Sequence, residues 1–329
     1  MLESTMPEST LPKPTPSKPT PSKLTLPKLT ALLSCVALAL AIAPLVAQEP
    51  GTSAAVAAAA DRELRVVTYN IRYGSATDGL DRWELRGPRL IATIDGLAGD
   101  LVALQEAEAF QVRELLTALP RYAALGVHRD DGRTRGESCT ILYDRARFAV
   151  AESATFWLSE TPERVASKSW DAALPRICTW ARFVELDGGR ACYVFNVHLD
   201  HRGQDSRVAS TRLVRERMRA VVTRVGFEAP AVLLGDFNAG EDNPAFTSLF
   251  AQAPEDPLQL VDSYRAIHPS DLAGTFNGFD PESDGGSRKI DHLLVTRGLA
   301  VRGAGIDRRL IDGRQPSDHF AVWASLAWD

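Results

Sequence analysis

Short polar segments lie where apolar runs of the sequence end or begin. Asn70, Glu106 and the pair Asp236 and Asn238 each follow an apolar run, and the triplet Ser-Asp-His at 317–319 precedes one. Carboxylate, amide and imidazole groups are the metal ligands and proton carriers that metal-assisted hydrolysis of a phosphoester requires. The pattern predicts one catalytic site assembled from strands that are far apart in the sequence.

Each of these segments also has an ordinary structural explanation. Asn tolerates turn conformations, and an Asp-x-Asn sequence such as that at Asp236 is common in turns. A histidine such as His198 can be a satisfied core residue, whereas a carboxylate that closes a buried strand, as Glu106 would, must be paired, metal-bound or exposed to solvent. The joint occurrence of the segments, each beside a strand, favours the catalytic interpretation.

The elements that would position these groups follow from hydrophobic patterning. Runs rich in β-branched and aromatic residues predict strands, and apolar residues at three- and four-residue spacing predict helices. No internal repeat and no second linker divides the sequence, which favours one catalytic domain over residues 63–329. The predicted strands are 64–69, 101–104, 140–143, 178–184, 192–197, 231–234 and 320–323, and the predicted helices are 85–97, 108–119 and 207–225.

The N-terminal region has a different composition. A tract rich in Pro, Ser, Thr and Lys precedes an apolar block at 29–47 that ends in small residues. This order is typical of a secretory signal, so residues 1–47 are predicted to be a signal peptide and 48–62 a linker, with export to the periplasm or the extracellular space. The alternative is an uncleaved membrane anchor, because about 20 apolar residues can span a bilayer. Membrane association is expected only in that second case.

The net charge limits how a polyanionic substrate can be held. It is −5 at pH 7, and because residues 1–47 carry four lysines against two glutamates, loss of that segment would make it −7. An acidic chain does not attract nucleic acid with its whole surface. A phosphoester would therefore be held locally, by a metal and a few basic residues, and no stable protein partner is predicted. Arg176 is one candidate, since a guanidinium donates a fork of hydrogen bonds to phosphate; an exposed arginine at a strand edge is the alternative.

Three cysteines, Cys139, Cys178 and Cys192, remain if the signal segment is removed. An odd number in an exported chain leaves at least one thiol unpaired or used between molecules. A two-residue turn at 188–189 would place Cys178 and Cys192 too far apart along the ladder to bridge. All three are predicted to be buried thiols without a chemical role.

In their order along the chain, these motifs resemble those of the endonuclease/exonuclease/phosphatase family. The resemblance covers residues 63–328, and the sequence at 196–201 is nearest in style to the carbon-catabolite-repressor-type deadenylase branch. It implies an α+β fold, namely a four-layer α/β/β/α sandwich of two mixed β-sheets with helices outside (DNase I-like), and a site at one end of the sandwich. The motifs are Thr-Tyr-Asn at 68–70, Leu-Gln-Glu at 104–106, Asn-Val-His-Leu-Asp at 196–200, Gly-Asp-Phe-Asn at 235–238, Lys-Ile-Asp-His at 289–292 and Ser-Asp-His at 317–319.

The resemblance implies a metal site. Glu106 matches the family's main magnesium ligand, Asn70 lies beside it, and Asp318 resembles an additional carboxylate near the metal. Mg²⁺ prefers oxygen ligands and keeps several waters, so one or two carboxylates suffice. Mg²⁺ is therefore the expected cofactor, and Mn²⁺ is the expected substitute.

The resemblance also implies catalytic roles. Asp236 resembles the base that positions and deprotonates the attacking water, and Asn238 resembles the amide that orients water and phosphate oxygens. Asp291 resembles the carboxylate that pairs with the terminal histidine, here His319, which would stay protonated and donate to the phosphoryl transition state. His198 matches a phosphate-contacting histidine that would stabilise the same transition state.

Phosphate contacts are predicted for Arg176, Asn70 and Asp200. Asp200 follows His198 in the form seen in the deadenylase-like branch. Together with the metal, these residues would hold a phosphoester substrate.

The substrate itself is left open by the sequence. The favoured prediction is an exported Mg²⁺-dependent phosphodiesterase or nuclease of the 3′–5′ exonuclease type, in which Trp157 and Trp170 would stack on bases. Buried packing is the more common role of such tryptophans. The alternatives are a phosphatase, or a phospholipid or sphingomyelin phosphodiesterase, of the same fold. A binding module without catalytic activity is the alternative of a different class.

Overall fold

The computed structural model describes residues 62–250 and 256–329. The predicted signal peptide at 1–47 and the predicted linker up to residue 61 lie outside this part of the chain. The predicted catalytic domain, residues 63–329, is described except for residues 251–255. Among the described helices, none combines the length and the apolar character needed to cross a bilayer.

Two six-stranded mixed sheets form the centre of the described residues. The strands are β1 (Leu64–Asn70), β2 (Leu101–Gln105), β3 (Tyr122–Leu125), β4 (Ile141–Asp144), β5 (Phe148–Trp157), β6 (Ile177–Glu185), β7 (Ala191–His198), β8 (Ala231–Asp236), β9 (Val261–Asp262), β10 (Asp291–Val295), β11 (Leu299–Asp307) and β12 (Ala321–Trp328). The first sheet has the order β11-β12-β1-β2-β4-β3, and the second has the order β5-β6-β7-β8-β10-β9. The pairs β1/β2 and β7/β8 are parallel, and the other pairs are antiparallel.

The sheets pack face to face, and helices cover their outer faces. The helices are α1 (Trp83–Leu97), α2 (Ala109–Ala118), α3 (Gln204–Val222), α4 (Pro244–Thr247) and α5 (Ser263–Ile267). Val66 and Leu234 belong to the core between the sheets. Ile94 of α1 packs on the outside of the first sheet, and Met218 of α3 packs on the outside of the second. The predicted four-layer α/β/β/α sandwich is confirmed.

Burial on both faces explains why the internal strands were recognisable as continuous apolar runs. Successive side chains of a strand point to opposite faces of its sheet. In β1, Val66 faces the core between the sheets and Val67 faces the core under α1. Such a strand is predominantly apolar until it leaves the core, so polar side chains at its end stand out in the sequence.

The connection between β6 and β7 differs from the two-residue turn predicted at 188–189. The backbone N–H of Glu185 donates to the carbonyl of Arg190 at 2.8 Å, so the connection comprises residues 186–189. The register therefore differs from the predicted one, although Cys178 and Cys192 still lie far apart along the ladder. All three cysteines are free and buried, as predicted.

Two amides tie the sheets together beneath one end of the sandwich. Gln105 donates from Nε2 to Oδ1 of Asn196 at 2.7 Å. Asn196 in turn donates from Nδ2 to the carbonyls of Leu104 and Thr140, at 2.9 and 3.0 Å. Buried hydrogen bonds between neighbouring sheets fix the relative position of the strands that contribute to them. Here they fix β2 against β7, whose ends carry Glu106 and His198.

Gly235 allows a close approach between β7 and β8. Its φ is +140°, and a Cβ added there would lie 1.9 Å from the carbonyl oxygen of Val197. The contact is with backbone of the neighbouring strand, so it cannot be relieved by a side-chain rotation. The approach places His198 directly opposite Asp236 in the parallel ladder.

We expect Gly235→Ala to lower the free energy of unfolding by at least about 2 kcal/mol, because the new methyl group must displace a buried strand. Gly189→Ala is the matched control, since Gly189 also has a positive φ, of +68°, but has open space around its Cβ position. The control should cost only about 1 kcal/mol. Urea denaturation of both variants measures the difference, and equal losses would contradict the steric explanation.

Candidate active site

Strand directions explain why segments from distant parts of the chain meet. The carboxyl ends of the parallel pairs β1/β2 and β7/β8 lie at one end of the sandwich, and the antiparallel strands β10 and β12 begin at the same end. A cavity of about 710 Å³ opens there. The predicted site residues that line it are Glu106, Arg176, His198, Asp236, Asn238, Asp318 and His319.

Asp236 lines this cavity and lies close to three other predicted site residues. Its Oδ2 is 3.0 Å from Nδ2 of Asn70, 3.5 Å from Nε2 of His198 and 3.8 Å from Nε2 of His319. Burial, together with the nearby negative charge of Asp291, raises the pKa of Asp236 to about 7. A carboxylate with such a pKa is suited to accept a proton near neutral pH.

His319 forms the predicted pair with Asp291. Its Nδ1 lies 2.8 Å from Oδ2 of Asp291, which leaves Nε2 directed at Asp236. Burial by itself lowers the pKa of an imidazole, but the charge and the hydrogen bond of Asp291 outweigh it and hold the pKa of His319 well above its usual value. His319 is therefore cationic near neutral pH.

His198 differs from His319 in its protonation. Its Nδ1 lies 3.0 Å from Nη1 of Arg176, and because a guanidinium only donates, Nδ1 must be the acceptor. Burial and the charge of Arg176 lower the pKa of His198 well below its usual value. The ring is neutral and carries its proton on Nε2, so a neutral and a cationic imidazole point at the same oxygen of Asp236.

Arg176 supports this histidine from behind. It is buried, and its two terminal nitrogens lie 3.0 Å from Nδ1 of His198 and 3.0 Å from Nδ1 of His201. Arg176 was predicted to donate its hydrogen bonds to phosphate. Its terminal nitrogens are instead directed at two imidazoles, although the side chain also lines the cavity. The alternative of an exposed arginine at a strand edge is wrong.

Glu106 belongs to a second cluster at the cavity. Its carboxylate accepts hydrogen bonds from Nδ2 of Asn70 and from the backbone N–H of Tyr73, both at 3.1 Å. One ligating atom from each of Glu106, Glu137 and His198 lies within 4.8 Å of the other two. This spacing is close enough for the two glutamates to share one ion, whereas His198 already accepts from Arg176 at Nδ1 and carries its proton on Nε2.

Glu137 was not singled out in the sequence. It forms a double hydrogen bond with Arg129, at 2.8 and 2.6 Å, and burial raises its pKa to about 7 despite that cation, with a further contribution from Glu106. Glu137 neither follows a strand nor directly precedes one. Its neighbour Ser138 donates to the carbonyl of Ala107 at 2.8 Å, and this tertiary contact places Glu137 beside Glu106. No local signal in the sequence marks it.

The donor set fits a hard divalent cation. The carboxylates of Glu106, Glu137 and Asp318 line one cavity, and burial raises the pKa of both Glu137 and Asp318. Carboxylates crowded together out of water call for a positive charge between them. Mg²⁺ prefers such oxygen ligands, and no cysteine is among the described residues that line the cavity.

Asn70 and Asp200 are placed differently from their predicted roles. The amide nitrogen of Asn70 faces the carboxylates of Glu106 and Asp236, while its oxygen accepts from the backbone N–H of Arg72 at 3.0 Å. Asn70 thus bridges two acidic side chains and does not present its oxygen to a metal. Asp200 is fully buried and accepts from four backbone N–H groups, those of Ala173, Leu174, Arg202 and Gly203.

Asp200 therefore shapes the loops beside the cavity and does not face a phosphate. Four N–H donors already satisfy its carboxylate and lower its pKa against the opposing effect of burial. Base stacking by Trp157 is also ruled out, because this side chain is 4% exposed and its Nε1 donates to the carbonyl of Arg129 at 2.8 Å. Trp170 is 39% exposed.

Three residues of the site have left-handed backbone conformations. The φ angles of Arg72, Glu106 and Asn238 are +54°, +60° and +46°. Asn adopts this region readily, but other residues pay about 1–2 kcal/mol for it. Such strain persists only where the surrounding contacts determine the conformation, and it concentrates at functional sites.

The fold is a two-sheet sandwich with a cluster of carboxylates and imidazoles at one end, and comparison with known proteins identifies the family. Residues 67–319 match the Endonuclease/Exonuclease/phosphatase family. A structure of a member of that family from Bacteroides thetaiotaomicron is 35% identical, with a TM-score of 0.73, and the match covers 82% of this chain and 99% of that one. The chain therefore belongs to the endonuclease/exonuclease/phosphatase family, as its motifs predicted.

Other solved structures share the fold to different degrees. A mannosyl-6-phosphatase from Bacteroides thetaiotaomicron VPI-5482 is 36% identical, with a TM-score of 0.71, and the match covers 80% of this chain and 100% of that one. The catalytic domain of human Nocturnin with bound sulfate is 18% identical, with a TM-score of 0.63 over 82% of this chain and 94% of that one, and so shows the fold alone. A search of curated proteins found no match.

Proposed function

We propose that this protein is a Mg²⁺-dependent phosphomonoesterase that removes phosphate from a sugar or a similar hydroxyl-rich alcohol. The observation that carries the proposal is the arrangement around Asp236, where a neutral His198 and a cationic His319 face one carboxylate oxygen beside a set of metal-binding carboxylates. The 36% identity to a mannosyl-6-phosphatase, along the whole length of that chain, supports a sugar phosphate as substrate.

Bound Mg²⁺, held by Glu106 together with Glu137 and Asp318, would polarise a phosphoryl oxygen and stabilise charge on the leaving oxygen. Asp236 orients the attacking water through Oδ2 and accepts its proton. His319 donates from Nε2 to the phosphoryl group as negative charge develops there.

His198 and Asn238 complete the set of groups that contact the reacting phosphate and water. His198 offers the proton on its Nε2, which Arg176 fixes by occupying the other ring nitrogen. Asn238 donates from Nδ2 to the carbonyl of Leu199 at 3.0 Å, so its Oδ1 is the atom that can accept from the water. The cavity is also lined by Arg72, Arg129 and Arg288, whose charges favour a dianionic phosphate.

A nuclease or other phosphodiesterase of the exonuclease type is the second candidate. The sequence at 196–201 favours it, and the same residues would perform the same chemistry on a diester. Burial of Trp157 removes one of the two stacking side chains on which that prediction relied. Export stays a prediction, because residues 1–47 lie outside the described part of the chain.

A screen with the purified enzyme decides between these substrates. It should compare hexose 6-phosphates with bis-p-nitrophenyl phosphate, single-stranded RNA and DNA, phosphoinositides and sphingomyelin. We expect the highest kcat/KM for a sugar phosphomonoester, with release of inorganic phosphate. Preferred cleavage of a diester would overturn the monoesterase proposal, and stabilisation by Mg²⁺ without any hydrolysis would indicate a binding module.

Removal of divalent metal should abolish activity. We expect EDTA to stop hydrolysis of p-nitrophenyl phosphate, and Mg²⁺ or Mn²⁺ to restore it, because the bound metal would supply the charge that stabilises the phosphoryl transition state. Phosphate release before and after dialysis measures the effect. Hydrolysis that continues unchanged in EDTA would contradict a metal-dependent mechanism.

A second cavity of about 510 Å³ adjoins the first and shares Arg288 with it. We call it the polar groove; its lining residues are Gly240, Glu241, Asp242, Asn243, Ser287, Arg288 and Lys289. Glu241 is held by Arg265 at 2.8 and 2.7 Å, and Asn243 is held by two hydrogen bonds with Gln204. Carboxylate and amide groups that are fixed in this way suit the hydroxyls of a sugar.

We expect Asp242→Ala to lower kcat/KM for mannose 6-phosphate about tenfold, the scale of one lost hydrogen bond to a charged group. The leaving group of p-nitrophenyl phosphate has no sugar hydroxyls that could bind to Asp242. Its kcat/KM should therefore change less than about twofold. Asp95→Ala, on α1 at the other sheet, is the matched control. Equal losses on both substrates would show that the polar groove does not contact the leaving group.

A further inference from the structure

Arg86 is the largest side chain that is fully buried among the described residues. It lies in the first turn of α1, and within the described part of the chain it forms no ion pair. Burial lowers its pKa, and the positive end of a helix is an unfavourable position for a cation. A buried cation without a carboxylate partner costs stability, so its presence calls for an explanation in the contacts that it makes.

All of its hydrogen bonds go to backbone carbonyls on two separate segments. Nη1 donates to Ile71 at 2.7 Å, Nη2 donates to Arg72 at 2.7 Å, and Nη1 also lies 3.4 Å from the carbonyl of Pro316. The first two carbonyls directly follow β1, and the third lies shortly before β12. Arg86 thus joins the two connections through which both strands reach the cavity.

Other hydrogen bonds reinforce the same junction. Ser317 donates from Oγ to the carbonyl of Asn70 at 2.7 Å, and Gln111 donates from Nε2 to the carbonyl of Arg72 at 3.0 Å. We call this junction between residues 70–72 and 316–317 the seam. It explains how Arg72 is held at a φ of +54°.

The two sides of the seam carry different parts of the candidate site. On one side Asn70 contacts Glu106 and Asp236, and the N–H of Tyr73 holds the carboxylate of Glu106. On the other side Asp318 and His319 follow the seam directly along the chain. A shift at the seam would therefore change the distance between the cavity wall that carries Asn70 and Glu106 and the wall that carries Asp318 and His319.

We infer that Arg86 is a positioning residue that sets the spacing of these two walls for catalysis. The inference rests on the proposed function, since it concerns the efficiency of that hydrolysis. Arginine suits the task because its planar fork reaches carbonyls in several directions, whereas lysine offers a single point of donation. Displacement of catalytic groups by about 1 Å costs up to about a hundredfold in rate.

The test uses Arg86→Lys, which keeps the charge and loses the fork, and Ser317→Ala, which removes one hydroxyl from the seam. We expect kcat for p-nitrophenyl phosphate to fall at least about tenfold in Arg86→Lys and about threefold or more in Ser317→Ala, with little change in KM. Guanidinium chloride at low, non-denaturing concentration should partly restore kcat in Arg86→Ala.

Arg147→Lys is the matched control. Arg147 is also buried, pairs with Asp100 and Glu185, and donates to the carbonyl of Glu63 at the other end of β1. This variant should lose stability without losing kcat at a temperature where it is folded. Stabilisation by Mg²⁺ in a thermal-shift assay, which needs no turnover, should be weaker in Arg86→Lys than in Arg147→Lys.

Wild-type kcat in folded Arg86→Lys and Ser317→Ala would overturn the inference, as would an equal loss of kcat in Arg147→Lys. If Arg86→Lys does not fold, Ser317→Ala decides, because it removes only one hydroxyl. If the wild-type protein hydrolyses no phosphoester, the proposed function fails instead. The Mg²⁺ thermal shifts of Arg86→Lys, Ser317→Ala and the control then decide the inference by themselves, and equal shifts overturn it.

Discussion

Glu106→Gln should lower kcat/KM for phosphoester hydrolysis by at least about a hundredfold, the usual scale for loss of a principal charge-stabilising group. The substitution keeps the size of the side chain and removes the negative charge that would hold the metal beside Glu137. Kinetics at increasing Mg²⁺ concentration measure the loss. Raising Mg²⁺ should not restore the wild-type rate.

Glu108→Gln is the control for this prediction. Glu108 lies two residues further along the chain, where its carboxylate binds Ser75 at 2.7 and 3.0 Å and does not line the cavity. This variant should retain most of the activity. Near-normal turnover in Glu106→Gln would overturn the metal-ligand assignment.

The backbone of Glu106 adds a stability readout that is independent of turnover. Because the φ of Glu106 is +60°, Glu106→Gly should relieve left-handed strain that Glu106→Ala retains. The free energy of unfolding of Glu106→Gly should therefore be about 1 kcal/mol higher than that of Glu106→Ala. At an unstrained position the order of these two variants would be the reverse. A more stable Glu106→Gly would show that the backbone geometry of the site lowers the stability of the protein.

His319→Ala should also lower kcat/KM by at least about a hundredfold, because it removes the proton that the cationic ring donates to the transition state. Phosphate release by the purified variant, with circular dichroism to verify folding, measures the effect. His268→Ala is a suitable control, since that histidine packs against Tyr264 and does not line the cavity. Activity within about threefold of wild type in His319→Ala would contradict the assignment.

Asp291→Asn should change the pH dependence of the reaction. Burial opposes the charge on His319, and Asp291 is the strongest influence that raises its pKa. The active ring is protonated, so activity is lost as the pH rises through this pKa. Asp291→Asn lowers the pKa and should therefore move the alkaline limb of the kcat/KM profile to lower pH. An unchanged limb would show that a different group titrates there.

Most internal strands could be predicted from the sequence, whereas the edge strands could not. The predicted strands correspond to β1, β2, β4, β6, β7, β8 and β12, all of which have a neighbour on each side. Strands β3, β5, β9 and β11 are the four edges of the two sheets, and none was predicted. An edge strand such as β5 is half exposed, so its sequence lacks the continuous apolar run by which a buried strand is recognised.

The internal strand β10 was missed for a different reason. It has only five residues, and its first two, Asp291 and His292, are polar but buried. Asp291 was recognised through the Lys-Ile-Asp-His motif instead. In this segment two polar residues, one of them a site residue, interrupt the apolar run by which a strand is predicted.

The sequence by itself determined which polar groups stand at strand ends, because a strand that is buried on both faces is predominantly apolar until it leaves the core. Asn70, Glu106, Asp236 and His319 were found in this way. The tertiary structure alone decided which of their atoms face one another, and it added Glu137 and Arg86. Those two residues are defined by contacts with segments far away in the chain, and hydrophobic patterning records the burial of a strand but not the contacts of a single side chain.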